Sequence, residues 1–205
     1  MSEFDKKAAG WDLNPMHIER AQAIASRILE TIPVHKGMSA LEFGAGTGIT
    51  SFYLKDYLKE ILMMDNSAEM VKKIREKMVA AGATNLKAMF FDLEHDTYVG
   101  EKFDLIFSQM VLHHVSDIEN IVNRFYRMLN RGGHLAIADL YPEDGSFHGT
   151  DFTGHKGFNV EELSALISNQ GFKNIKHEKC FVINKKISDA ETRQFDVFLL
   201  TANRT

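Results

Sequence analysis

From Met38 to Asn169, short apolar runs alternate with stretches of helical period, and this alternation limits the fold more than any other feature. The runs are Met38–Phe43, Ile61–Met64, Leu86–Phe91, Phe103–Ser108 and His134–Leu140. The helical stretches are Thr47–Tyr57, Ala68–Ala81, Ile118–Leu129 and Val160–Asn169. Strands of this length separated by helices build right-handed βαβ crossovers, and therefore a parallel sheet covered on both faces. Ser67 precedes Ala68-Glu69-Met70 as an N-cap, and Gly82 follows the stripe Met70, Val71, Ile74, Met78 as a stop. Upstream, Asn14-Pro15 opens an amphipathic helix over Met16 to Ile32, with Ile18, Ala21, Ala25, Ile28 and Leu29 on one stripe and Pro33 ending it. Downstream the rhythm breaks. The runs Phe172–Ile183 and Arg193–Ala202 are joined by a polar stretch too short for a crossover helix, so they pair antiparallel. The expected fold class is α/β: a doubly wound, mostly parallel seven-stranded sheet with an antiparallel C-terminal hairpin.

Composition narrows the function classes. With 205 residues, 44% apolar and 25% charged, the chain reads as one globular domain over 1–205, a helical cap over 1–35 and a core over 36–205. A single cysteine, Cys180, excludes an internal disulfide framework and fits a reducing compartment. A net charge of −4 and a pI near 6.1 leave no basic footprint for nucleic acid or an anionic membrane. The start, Met1 to Lys7, lacks the basic-then-apolar pattern of a signal peptide, and no apolar run is long enough to span a bilayer. A cytoplasmic protein is expected. Its oligomeric state stays open.

The most specific motif is Leu41-Glu42-Phe43-Gly44-Ala45-Gly46-Thr47-Gly48, at the junction of the first run and the first crossover helix. Glycine accepts positive φ and lets a ligand approach the main chain, and the amides of a helix start can meet an acceptor. The spacing is G-x-G-x-G, with Ile49 following Gly48, so the third glycine arrives one residue early for a dinucleotide pyrophosphate site. Asp65 ends the second run, 17 residues past Gly48, where an acid accepts hydrogen bonds from a ribose diol. Asp65 could instead cap the next helix, although Ser67 suits that role better. Asp92 follows the third run, where a carboxylate can take an adenine amino group. Ligands of open α/β sheets bind outside the carboxyl ends of the strands, where these acids fall.

These residues resemble class I S-adenosylmethionine-dependent methyltransferases of the small-molecule type. The likeness rests on Glu42-x-Gly44-x-Gly46-x-Gly48, Asp65, Phe91-Asp92-Leu93, the strand Phe103–Ser108, Leu129-x-x-Gly132-Gly133 and the terminal hairpin, and covers roughly Met38 to Ala202. The segment Phe4 to Ile32, with Ala9-Gly10-Trp11-Asp12, resembles the N-terminal helix that these enzymes fold over the cofactor. The resemblance implies S-adenosyl-L-methionine as cofactor, with S-adenosyl-L-homocysteine as product. Glu42 would then lie near the methionine amino group. Gly44, Ala45 and Gly46, with Gly48 closing the turn, would line the methionine and ribose portion. Asp65 would take the ribose hydroxyls, Asn66 would stand beside the adenine, and Asp92 and Leu93 would bracket it. The Ser108 backbone and Gln109 would meet the amino-acid end, and Trp11 would come from the lid. Met64 and Met70 could pack on the adenine or be plain core.

Methyl transfer mainly requires a nucleophile held in line with the methyl group, with a base only where the acceptor must lose a proton. Candidate bases are His113 and His114 in Val111-Leu112-His113-His114-Val115, and His155 in the loop Phe147–Phe158. For His113 or His114 taken alone, a structural role capping the loop is the stronger reading. That loop reads as a wall of the acceptor pocket, with Phe152 and Phe158 as apolar sides, and no metal is expected. Tyr141, Glu143 and Asp144 could also reach it. The motif of base-methylating enzymes is missing after the fourth run, which reads Ser108-Gln109-Met110-Val111, so a small-molecule acceptor is the default. A non-catalytic module that binds the same nucleoside is the main alternative. A nicotinamide oxidoreductase is a more distant one.

Overall fold

The computed structural model describes residues 3–205 apart from Thr150. Met1 and Ser2 of the chain start, and Thr150 of the 147–158 loop, lie outside the described residues. The core is one seven-stranded sheet in the order β3-β2-β1-β4-β5-β7-β6, with β1 (Ser39–Phe43), β2 (Glu60–Asp65), β3 (Leu86–Phe90), β4 (Phe103–Gln109) and β5 (Leu129–Leu140) parallel. The strands β6 (Phe172–Lys186) and β7 (Thr192–Arg204) form the hairpin, and β7 inserts antiparallel between β5 and β6.

Between β1 and β4 the strand order reverses, which opens a crevice at their carboxyl ends. Alternate side chains of the buried strands feed two cores. Leu41, Phe43 and Ile106 pack with Ile121, Val122 and Phe125 of α5 (Ile118–Met128) and Leu163 and Ile167 of α6 (Val160–Asn169). On the other face Ala40, Met63, Leu105 and Phe107 pack with Ile24 and Ile28 of α2 (Pro15–Thr31), Leu54 of α3 (Ile49–Leu54) and Ile74 of α4 (Ala68–Ala81).

Local signals hold where a cap defines them. The Ser67 hydroxyl accepts the Met70 amide and Gly82 closes α4 at φ 57°, so that helix covers the predicted span. The Asn14 side chain accepts the Met16 amide ahead of Pro15. Two boundaries move for identifiable reasons. Helix α3 starts only at Ile49, because Gly48 at φ 78° breaks the helical path before it. Strand β5 begins at Leu129, which pairs with Phe103 ahead of a register shift that realigns His134 with Leu105. The cap adds elements that periodicity missed: α1 (Glu3–Lys7) and a 3-10 turn (Ala8–Leu13) lead into α2.

Phe125 joins the core to the crevice: it is fully buried on α5 and meets Phe43 of β1 edge-on at 5.3 Å. Replacing it by alanine removes that support and leaves a cavity. Urea unfolding of Phe125→Ala should show a loss of about 3–5 kcal/mol.

Candidate active site

The crevice deepens into a cavity of about 990 Å³, lined at its base by Phe43, Gly44, Ala45 and Gly46, on one flank by Met64, Asp65, Asn66 and Met70, and roofed by Phe4, Trp11 and Arg20 of the cap. The glycine turn takes its shape from its torsions: Gly44 sits at φ 64°, and a Cβ there would lie 2.5 Å from Val111 Cγ2. At Gly46 a Cβ would face only Trp11 Nε1, at 3.8 Å, so the absent side chain opens room at the cavity floor. Asp65 fixes the turn from β2, its carboxylate accepting the Gly46 amide at 2.7 Å and the Ser67 amide at 2.8 Å. Burial raises its pKa to about 6, partly opposed by those two amides.

The opposite wall is basic and aromatic. Arg20 is 5% exposed, its Nε has no hydrogen-bond partner among the described residues, and its Nη1 donates to the Met16 sulfur at 3.6 Å. Burial lowers its pKa to about 10, but it stays cationic. From the start of the long loop come Phe147 and His148, and from the end of β6 come Asn184, Lys185 and Lys186. Lys185 lies over the Phe147 ring at 4.4 Å from its centroid. Val111 follows Met110, whose φ of 55° is uncommon for a non-glycine residue and turns the chain after β4 into the cavity.

A family model described as a methyltransferase domain matches residues 41–137, the stretch from the glycine turn to the middle of β5. Among curated relatives, an uncharacterized methyltransferase of Schizosaccharomyces pombe is 29% identical over 154 residues, covering 67% of this chain and 54% of its own length. An arsenite methyltransferase of Halobacterium salinarum is 24% identical over 147 residues, covering 67% of this chain and 38% of its own. The chain thus spans about half or less of the length of these relatives. Among solved structures, the N-methyltransferase NodS of Bradyrhizobium japonicum, bound to S-adenosyl-L-homocysteine, matches with a TM-score of 0.73 at 18% identity over 98% of this chain and 96% of its own. Residues 41–137 thus match a methyltransferase domain, on a fold shared with an S-adenosylmethionine-dependent methyltransferase.

Within this methyltransferase domain, Trp11, Gly44, Ala45, Gly46, Asp65, Asn66, Met70, Asp92, Leu93, Gln109, His113 and His114 all line the one cavity. Three expected cofactor contacts stand off it. The Glu42 carboxyl turns under α3, where it accepts the Ser51 hydroxyl. Ser108, expected to contribute its backbone, is buried and is not among the lining residues, and Gly48 is occupied in starting α3.

The loop after β5 also departs from expectation. The His155 ring donates from Nε2 to the Val115 carbonyl at 3.1 Å, and His155 is not among the lining residues. Phe158 packs into the core, and Phe152 stacks on His148 behind the wall. Tyr141 meets Phe198, Glu143 accepts loop amides and Asp144 pairs with Arg193, so none of the three lines the cavity. Phe147 and His148 represent the loop instead.

Sequence reasoning missed Arg20, which had a readable signal: a cation one turn before Ile24 on the buried stripe of α2. It also missed Asp139, fully buried on β5, which accepts Nδ1–H of His113 at 2.6 Å.

The donor set fits the family's cofactor. The glycine floor admits a ligand against the main chain, the acids sit at successive strand ends, and a buried guanidinium has an Nε left over for an anion. When bound, S-adenosyl-L-methionine supplies a methyl group already activated on a sulfonium.

Glu42 gives a pH test of the ligand-free protein. Burial raises its pKa from 4.5 to about 7, so the proton it retains favours the folded state below pH 4.5, and that contribution is lost as pH rises through 7. Over that window the loss is about 3 kcal/mol. In denaturant titrations, Glu42→Gln should flatten the decline, its stability relative to the natural chain growing between pH 5 and pH 8.

Proposed function

We propose that this protein transfers the methyl group of S-adenosyl-L-methionine to a nucleophilic atom of a small-molecule acceptor. The observation that carries this reading is the two-ended character of one half-open cavity. Its floor and acidic flank suit an adenosine, and its far end gathers imidazoles where an acceptor would stand.

In this reading Asp65 receives the ribose hydroxyls while holding the Gly46 amide, and Asn66 stands beside the adenine. Asp92 and Leu93 bracket that ring, with Met64 and Met70 as its apolar bed. Gly44 and Gln109 meet the amino-acid end. Arg20 takes the α-carboxylate, which would satisfy its buried Nε. Trp11 and Phe4 close over the nucleoside and exclude water, which strengthens these contacts.

His113 and His114 face the acceptor side. A carboxylate on Nδ1–H of His113 fixes that ring with a lone pair on Nε2, ready to receive a proton from an acceptor that must lose one. A small acceptor agrees with the roofed cavity and with the net charge of −4, which supplies no track for a nucleic-acid backbone. The arsenite methyltransferase among the relatives is named for a small acceptor as well.

Calorimetry with S-adenosyl-L-homocysteine tests the cofactor half. Arg20→Ala should weaken binding about 10- to 100-fold, the loss of a charge-assisted hydrogen bond. Asp65→Ala should weaken it similarly and also lower stability, because two backbone amides lose their acceptor. Affinity unchanged in both variants would overturn the assignment. Transfer of labelled methyl across a panel of metabolite acceptors tests the catalytic half. For the acceptor found, His114→Ala should reduce turnover at least tenfold with cofactor affinity within about twofold. A parallel fall in both would place His114 in the nucleoside site instead.

A further inference from the structure

Where a metal was expected to be absent, the tertiary fold assembles three imidazoles. His113 and His114 leave the turn after β4, and His148 arrives from the loop after β5, 34 residues later in the sequence. One ring nitrogen of each lies within 4.8 Å of the other two, and the Nε2 atoms of His113 and His148 are 2.9 Å apart. We propose that His113, His114 and His148 form a binding site for a divalent cation of the zinc class, its open coordination position facing the cavity.

Four observations point the same way. First, His113 is 1% exposed and Asp139 accepts its Nδ1–H, so Nε2 is the nitrogen presented to the cluster; a carboxylate behind an imidazole is the arrangement that orients metal-binding histidines. Second, the required movement is small. Nitrogens bound tetrahedrally to zinc at about 2.0–2.1 Å lie about 3.3 Å from one another, so the close pair opens by a few tenths of an ångström and His114 closes in. Third, among the described residues the three imidazoles have no fourth protein ligand, which is the donor set of an open site. Fourth, Phe147 and Phe152 pack edge-on to His113, and Phe152 stacks on His148, which limits water and leaves the cavity as the approach.

The charge balance restricts the fourth ligand. Lys7, Lys185 and Arg20 line the same cavity; its carboxylates Asp65, Asp92 and Glu94 line it too, and the carboxylate bonded to the cluster is that of Asp139. A dication among these cations favours an anionic oxygen or sulfur donor at its open position, which describes an acidic acceptor held in its deprotonated form. The two histidines and the aspartate within Phe147–Phe158 do not form this site: His155 is committed to the Val115 carbonyl, and His148 leaves its own loop for the β4 turn.

The site extends the methyltransferase reading, with the metal taking the His113 Nε2 lone pair in place of the acceptor's proton, and its test is independent of methyl transfer. Metal-stripped protein is titrated with Co²⁺ in the absence of nucleoside, following visible absorption and bound metal per chain, with S-adenosyl-L-homocysteine affinity measured separately. One Co²⁺ per chain is expected, with the intense bands of four- or five-fold coordination, displaced by Zn²⁺. His148→Ala, on a surface loop, and His113→Ala should each abolish the bands. Asp139→Asn should weaken metal binding about 10- to 100-fold, and His155→Ala should leave it intact. Circular dichroism checks that each variant is folded. Absence of stoichiometric binding by the natural chain, or binding that survives in folded His148→Ala, overturns the metal site. Where nucleoside affinity is intact in that case, the cofactor assignment stands without it.

Discussion

One carboxylate ties the site together. Asp65 accepts the Gly46 amide from the turn after β1 and the Ser67 amide from the turn after β2, so the two loops that flank the crevice are joined through a single side chain. Ser67 extends the junction, accepting the Met70 amide and donating its hydroxyl to Asp5 of the cap at 2.6 Å. The cost is desolvation of an acid that is 9% exposed, visible in its raised pKa. The geometry of the glycine floor, the start of α4 and the seat of the N-terminal segment all depend on it.

The cap is attached by polar contacts of that kind. Asp12 pairs with Lys77 of α4 at 2.7 Å and accepts the Thr47 hydroxyl beside the glycine turn. Its aromatics then reach across the cavity: Trp11 stacks on His17 at 4.2 Å, and Phe4 stands edge-on to His114 at 5.1 Å. A segment without strand pairing thereby contributes to both ends of the cavity, which explains why α2 buries a charge on its apolar stripe. Arg20 faces ligand space there, and among the described residues no carboxylate is hydrogen-bonded to it.

Much of the fold was legible because local chemistry and global packing agree. Ser67 and Gly82 bound α4, Pro15 and Asn14 open α2, and the polar 184–192 stretch leaves antiparallel pairing as the available solution. The adenosine half of the cavity was legible for a related reason. Gly44, Gly46, Asp65 and Asp92 follow successive strands of a parallel sheet, and parallel strands carry such positions to one edge. Glu42 shows the limit of this reasoning: it occupies the expected position in the motif, yet its side chain points under α3 to Ser51.

The sequence by itself determined the layer order, the glycine turn and the acids that surround it. Each follows from periodicity, a cap or a backbone torsion within a few residues. Only the tertiary structure decided which histidines meet. Periodicity says nothing of a loop such as 145–157, whose path is fixed by the Phe158 amide on Leu140 and the His155 amide on His113. Those two bonds seat the loop against the β4 turn, turn His155 outward from the cavity and bring His148 to His113. Contacts between residues far apart in sequence depend on where the sheet places their backbones, and no local preference encodes them.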